Sequence, residues 1–328
     1  MNLDAMIGAR IAVGIPGLEA TPEVIKAMRR LHTQSLVVFS RNFTSPEQFT
    51  KLLQQLEDAI GCRLLVMVDH EGGRVVRFAR GVTRFPSALS QAALGTAAIE
   101  QQGAVEAGEL KGLGVHVNLA PCVDVLAQAA DPIIGDRSYG DDPAQVSVLG
   151  AARIRALQSH GIAACAKHFP GLGAVPRDPH KTLPTIALDW PMMERIHLVP
   201  FRAAIEAGVA TIMSSHVCYP ALGDPLGLPA TFSWRLIHGL LRGHLGFSGV
   251  ILTDDLEMGA LRAFGGMGEA AVRATEAGHD LLLICSDLAA AGEAFSSLRA
   301  AYQAEALSRR ELEHSVKRIE QLRKDFLS

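Results

Sequence analysis

Ile162-Ala163-Ala164-Cys165-Ala166-Lys167-His168-Phe169-Pro170-Gly171 is the stretch that decides the fold. Small and apolar residues follow one another from Ile162 to Ala166, without the alternation of a half-exposed strand. That is the pattern of a strand covered on both faces in a parallel sheet. The run then stops in a lysine and a histidine. A lysine continuing an inner strand must pair with an anion, because an unpaired buried charge is costly. The stretch therefore reads as a buried parallel strand, Ile162 to Lys167, whose end is polar for a purpose other than packing.

The same pattern recurs along the chain. Apolar runs at Arg10 to Gly14, Ser35 to Phe39, Leu64 to Asp69, Val115 to Leu119, Ala210 to Ser214, Gly249 to Thr253 and Asp280 to Ile284 bring the number of expected strands to eight. The segments between them read as helices. Phe49, Leu52, Leu53, Leu56 and Ile60 share one helical stripe, opened by the Ser45-Pro46-x-Gln48 capping signal. Ser308 and Glu311 open the last helix, with Leu312, Val316, Ile319 and Phe326 inward. Further helices are expected over 21–31, 90–113, 143–160, 191–207, 233–245, 268–277 and 288–302. No linker, low-complexity tract or short repeat interrupts the series, and Gly14-Ile15-Pro16-Gly17 is not a dinucleotide-binding turn. The expected architecture is α/β: a (β/α)8 TIM-type barrel in a single domain, 1–328.

At 328 residues, such a core needs no metal or disulfide to hold it. Five cysteines, odd in number and widely spaced, read as buried reduced thiols. With 31 Lys+Arg against 34 Asp+Glu, the net charge is −3, so nucleic acid is not expected as a partner. The basic residues are scattered, apart from the last helix and an arginine-rich stretch from Arg74 to Arg84. No apolar run approaches the ~18 residues of a membrane span. Met1-Asn2-Leu3-Asp4 lacks a basic region followed by an apolar stretch, so the expected compartment is the cytoplasm, with no membrane partner.

In a parallel barrel, reactive groups collect where the strands end. Strand three ends in Asp69-His70-Glu71-Gly72-Gly73-Arg74, strand four leads through Asn118 to Asp124, and strand five ends in Lys167-His168. Strand six ends in Ser214-Ser215-His216 and strand seven in Thr253-Asp254-Asp255. Taken singly, Asp69, Asp124 or either of Asp254 and Asp255 also fits a turn or helix cap, and His216 fits a core histidine bonded to a carbonyl. Side-chain alternation lets one of Asp254 and Asp255 face the barrel mouth. Beyond strand five, Asp178 precedes His180 by two residues. A carboxylate facing such an Asp–His pair can divide a displacement at carbon: the carboxylate attacks, and the histidine protonates the leaving oxygen and then deprotonates water. Most retaining glycosidases use two carboxylates for this, ~5–5.5 Å apart. A histidine can replace the acid because its unperturbed pKa of ~6.5 lies near working pH. Asp178 would fix its tautomer.

These residues stand in an order that resembles a known family. Phe39-Ser40-Arg41-Asn42, Asp69-His70-Glu71-Gly72-Gly73-Arg74-Val75-Val76-Arg77, Asn118-Leu119-Ala120-Pro121, Gly135-Asp136-Arg137-Ser138-Tyr139, Lys167-His168-Phe169-Pro170-Gly171 and Gly249-Val250-Ile251-Leu252-Thr253-Asp254-Asp255-Leu256 are similar to six ordered motifs of the family 3 glycoside hydrolases. Within them the chain resembles the bacterial β-N-acetylhexosaminidases of cell-wall recycling. The resemblance implies Asp254 as nucleophile, His180 as general acid/base and Asp178 as its partner. It also implies that Asp69, Arg77, Arg137, Lys167 and His168 bind the sugar, with His216 and Asp124 as supports. It implies a small-molecule carbohydrate substrate, an N-acetylglucosaminyl muropeptide, and a monomer with no cofactor and no metal.

The catalytic loop departs from the family's K-H-F-P-G-H-G-D then D-S-H: Leu172, Ala174 and Pro179 stand where His, Asp and Ser are usual. Pro176 and Pro179 also restrict a loop that moves in this family. The departures motivate an alternative, a catalytically impaired or specialised paralogue that binds sugar only or acts as a phosphorylase. A metal-dependent hydrolase on the same barrel would open with His-x-His on strand one, and Ile11-Ala12-Val13-Gly14-Ile15 has none.

Overall fold

A computed structural model describes residues 1–127, 133–175 and 182–327, and within them the eight runs form one closed parallel barrel. The strands are β1 (Ile11–Val13), β2 (Ser35–Val38), β3 (Leu65–Val68), β4 (Val117–Asn118), β5 (Ala163–Phe169), β6 (Thr211–Ser214), β7 (Val250–Asp255) and β8 (Leu281–Ile284). Each pairs with its neighbour in sequence, and β1 closes on β8 through Ile11↔Leu282 and Val13↔Ile284. Most strands are shorter than the apolar runs. β5 and β7 instead run further, so that Lys167, His168, Asp254 and Asp255 lie inside strands.

Strand side chains alternate between two packed regions. Leu65 and Met67 of β3, Ala163 and Cys165 of β5, and Val250 and Leu252 of β7 fill the barrel interior. Val66, Val68, Ala164, Ala166 and Ile251 face the surrounding helices. Both faces are buried, which is why the sequence shows continuous apolar runs.

The helices follow the expected order with local differences. The helix expected over 90–113 is two, Ala88–Ala92 and Thr96–Gly112, separated at Gly95 with φ +80°. The segment expected as 191–207 contains a π-helical turn at Met193–His197, and Arg235–His244 is π-helical throughout. A helix at Leu3–Ala9 lacked a clear periodic signal; Asn2 caps it through the N–H of Ala5. The C-terminal helix Arg309–Phe326 seals the N-terminal end of the barrel. Its Ile319 and Leu322 join the interior cluster, and Arg323 donates to the carbonyls of Gln34 and Arg63, just before β2 and β3. All five cysteines are free, and four are buried. Among the described residues, no helix is long and apolar enough to cross a membrane.

Candidate active site

Lys167 extends the inward-facing series of β5 and is 2% exposed. The anion its burial demanded is present twice. Its Nζ lies 2.6 Å from Asp69 Oδ1 and 2.7 Å from Glu71 Oε1. Glu71 also accepts a forked contact from Arg137, at 2.8 Å from Nε and 2.7 Å from Nη2. Arg77 Nη2 stands 3.6 Å from Asp69 Oδ2. Two carboxylates thus hold three cations from three different segments. Burial by itself would raise the carboxyl pKa values of Asp69 and Glu71; Lys167 with Arg77, and Arg137 with Lys167, outweigh it and hold both below the usual range. Burial would likewise lower Lys167, and the two carboxylates raise it instead.

The turn carrying Asp69 and Glu71 depends on its glycines. Glu71 N–H and Val75 C=O, and Val75 N–H and Gly72 C=O, close a tight reversal with φ +101° at Gly72 and +56° at Gly73. A Cβ on Gly73 would meet Ser87 at 2.8 Å. His70 stands where the family motif has Gln. It is buried, its Nδ1 faces the N–H of Arg77, and its ring stacks on Phe78 at 5.7 Å. Burial, with Arg153 and Arg77 nearby, pushes its pKa down to about 4.

His168 is aimed by a bulge. Lys167 pairs with Met213 and Phe169 with Ser214, so β5 has one residue more than β6 here. His168 Nδ1 lies 2.7 Å from Asp124 Oδ2, and its Nε2 lies 3.5 Å from Arg137 Nη2. That pairing places the proton on Nδ1 and turns the Nε2 lone pair toward Arg137. Asp124 is fully buried and also accepts the backbone N–H groups of His168 and Leu172, at 3.1 and 2.6 Å. It therefore fixes both the ring and the start of the following loop. Leu172 is 3% exposed, and Gly173 C=O accepts the N–H of Ala127, so the departures from the family pattern at 172 and 174 belong to a packed loop base.

A second bulge lies in β7, where Leu252 pairs with Leu281 and Asp255 with Leu283. The two acids at that end do different things. Asp255 Oδ1 accepts the N–H of Glu257 and of Cys285, the capping role open to either. Burial, with Glu257 and Asp254 beside it, raises its carboxyl to about 7. His216 supports this strand end, with Nε2 2.9 Å from Asp255 O and Nδ1 on the Thr231 hydroxyl. Asp254 makes a local contact with the N–H of Asp255 at 2.8 Å. Asp254 lies at the C-terminal end of β7, the same end of the closed barrel at which β5 carries Lys167.

Asp69, Arg77, Arg137, Lys167 and His168 are brought into one connected network, and Asp124 with them. Asp178 and His180, with Pro176 and Pro179, lie outside the described residues. Glu71 belongs to the Asp69–Arg77 motif, and the sequence reading assigns it no role. The signal for it was the count of charges: buried Lys167 and Arg137 together need more than Asp69. Cys122, Asp124 and His168 offer ligand atoms within 4.8 Å of one another, the spacing a metal ion would need. Here Asp124 is engaged by His168, two backbone N–H groups and the Cys122 thiol at 3.2 Å, so the three satisfy one another by hydrogen bonds.

Residues 6–322 match the glycosyl hydrolase family 3 N terminal domain. A beta-hexosaminidase of Nitrosomonas eutropha is 37% identical over 286 residues, covering 85% of this chain and 80% of its own length. Among solved structures, a glycoside hydrolase family 3 beta-N-acetylglucosaminidase from Paenibacillus superposes with TM-score 0.96 at 37% identity. It covers all of this chain, which spans 63% of that one. NagZ from Neisseria gonorrhoeae, solved with N-trifluoroacetyl-D-glucosamine, has TM-score 0.83 at 30% identity, covering 95% of this chain and 89% of its own.

Proposed function

The chain belongs to glycosyl hydrolase family 3 and is a glycoside hydrolase, and from that premise we propose that it is a retaining β-N-acetylglucosaminidase. The substrate in this reading is a peptidoglycan-derived glycoside with a terminal N-acetylglucosamine, and the compartment is the cytoplasm. Asp69, Arg77, Arg137, Lys167 and His168 hold the sugar's hydroxyls and N-acetyl group, since paired charges on a rigid rim give orientation as well as affinity. The Asp254 carboxylate attacks C1 as the C1–O bond to the aglycone breaks. The His180 imidazolium, oriented by Asp178, gives its proton to the departing oxygen. Water then attacks C1 of the glycosyl-Asp254 ester, His180 takes the water's proton, and Asp254 is released.

The observation that carries this reading is the common end of the barrel: Asp254 lies at the C-terminal end of β7, and Lys167, tied to Asp69, lies at the C-terminal end of β5. The test is to incubate the protein with a fluorinated N-acetylglucosaminyl donor and map the adduct. Labelling at Asp254, with hydrolysis of an aryl N-acetylglucosaminide lowered on the order of 10⁴-fold or more in Asp254→Asn, is the expected result. A label elsewhere, or a fully active Asp254→Asn, would overturn it. Running the assay with and without phosphate separates the two acceptors: free sugar in both is expected, and a sugar phosphate would identify a phosphorylase.

A further inference from the structure

The stretch from Arg74 to Arg84 holds four arginines, of which the proposed sugar site uses only Arg77. Arg74 is held by Asp136 at 2.9 Å. Arg80 makes no ion pair among the described residues. It lines, with Ser40, Phe43, Thr44, Arg77 and Ala79, a cavity of about 270 Å³. Arg77 is the wall this cavity shares with the site. Its Nη2 reaches Asp69 at 3.6 Å, but the other Asp69 oxygen is held at 2.6 Å by Lys167. Its Nε is buried without a hydrogen-bond partner. Arg41 completes the group: it and Arg77 lie over the Phe39 ring at 4.5 and 5.6 Å, and Arg41 donates to the carbonyls of Ile15 and Cys285. Carbonyls and a ring face position guanidinium groups without neutralising them. Of these three arginines only Arg77, half-buried, approaches a carboxylate; Arg41 and Arg80 are exposed and pair with none among the described residues.

Exposed Arg80 and half-buried Arg77 on the wall of this open cavity, with Arg41 adding its charge behind Phe39, favour an incoming oxyanion with charge-assisted hydrogen bonds. The volume is below the range of roughly 300–1,000 Å³ typical of sites that enclose a whole small molecule. It suits a single charged substituent. We propose that this cavity binds an oxyanion carried by the substrate sugar itself, a phosphate monoester or a carboxylate, a few bonds beyond the hydroxyls held by Asp69 and Arg77. The inference rests on the reading of those two residues as sugar ligands.

The test compares binding of N-acetylglucosamine, N-acetylglucosamine 6-phosphate and N-acetylmuramic acid by calorimetry at low ionic strength. The proteins are the wild type, Arg80→Ala and Arg80→Lys. At least one acidic sugar is expected to bind about tenfold more tightly than the neutral one. The ratio should fall to about one in Arg80→Ala and recover in Arg80→Lys; because it is a ratio, a general loss of folding cancels. Preference for the 6-phosphate identifies an exocyclic phosphate, and preference for the muramic acid identifies a carboxylate on C3. Equal affinities, or an advantage that survives Arg80→Ala, overturns the proposal while leaving the sugar site standing. Failure of neutral N-acetylglucosamine to bind overturns both.

Discussion

Glu71 is the residue on which the rim depends. Among the described residues it alone touches both Lys167 and Arg137, and its side chain is 6% exposed. A Gln there keeps one acceptor oxygen but removes the charge, leaving Arg137 without its forked partner and Lys167 with Asp69 alone. Breaking a buried pair from one side costs about 3–5 kcal/mol. Glu71→Gln is therefore expected to unfold at lower denaturant by roughly that amount and to raise KM more than it lowers kcat, because both freed cations are proposed sugar ligands. A variant as stable as the wild type with unchanged KM would show that Asp69 suffices. In the sequence, Lys167 announces the need for an anion, and the resemblance to the family motif implies Asp69 as a sugar ligand. That Glu71 shares the need with Asp69 was not legible, because side-chain direction in a double-glycine turn follows from backbone dihedrals that one sequence does not display.

At the scale of elements, the turn from Asp69 to Arg77 is steadied from behind by a pair of helices. Glu106 of Thr96–Gly112 pairs with Arg153 of Pro143–Ser159, both side chains 2% exposed. Glu106 also accepts from Asn118 Nδ2 at 3.0 Å, and Asn118 bonds both the N–H and the C=O of His70. This contact needs the helices close, and Gly103 allows it: a Cβ there would stand 2.4 Å from that of Ala156. Gly108, in the same helix, faces nothing within 4 Å. Helix propensity favours Ala over Gly by about 0.5–1 kcal/mol at either position. Overpacking costs about 1–3 kcal/mol where space is lacking. Gly108→Ala is thus expected to stabilise and Gly103→Ala to destabilise, as read from urea midpoints of the two variants. The same sign for both would mean the helix pair relaxes freely. The helices and their order were readable from periodicity and caps. The break at Gly95 and the π-helical segments were not, since both are responses to packing against neighbours.

At the scale of the whole molecule, three histidines buried in different places respond to acid together. Burial pushes His70, His116 and His279 each down to about 4. Their folded pKa values lie below the unfolded value of about 6.5, so as pH falls the unfolded chain takes up protons first. The contribution of these histidines is therefore full above pH 6.5 and lost progressively between 6.5 and 4, on the order of 3 kcal/mol each, while the raised carboxyl of Asp255 opposes that loss because the folded state takes up its proton first. The depressed carboxyls of Asp69, Glu71 and Asp124 add a further loss at lower pH. His70→Gln, which keeps an acceptor for Arg77, is expected to shrink the difference in unfolding free energy between pH 7 and pH 4.5 by a measurable share. An unchanged difference would place the acid sensitivity elsewhere.

The sequence by itself determined the barrel: eight continuous apolar runs, each followed by an amphipathic segment, leave few other ways to cover both faces of every strand. It also determined that polar groups crowd one end, because residue type and strand direction are both linear information. Only the tertiary structure decided how those groups are divided between work and support. Asp255 holds backbone N–H groups while Asp254 bonds only its neighbour's N–H among the described residues, His216 steadies a strand end, and Glu71 locks two cations. Those assignments depend on two bulges, in β5 and β7, each of which shifts alternation by one residue. A bulge exists only through the register with a neighbouring strand, which is set by the closure of the whole barrel.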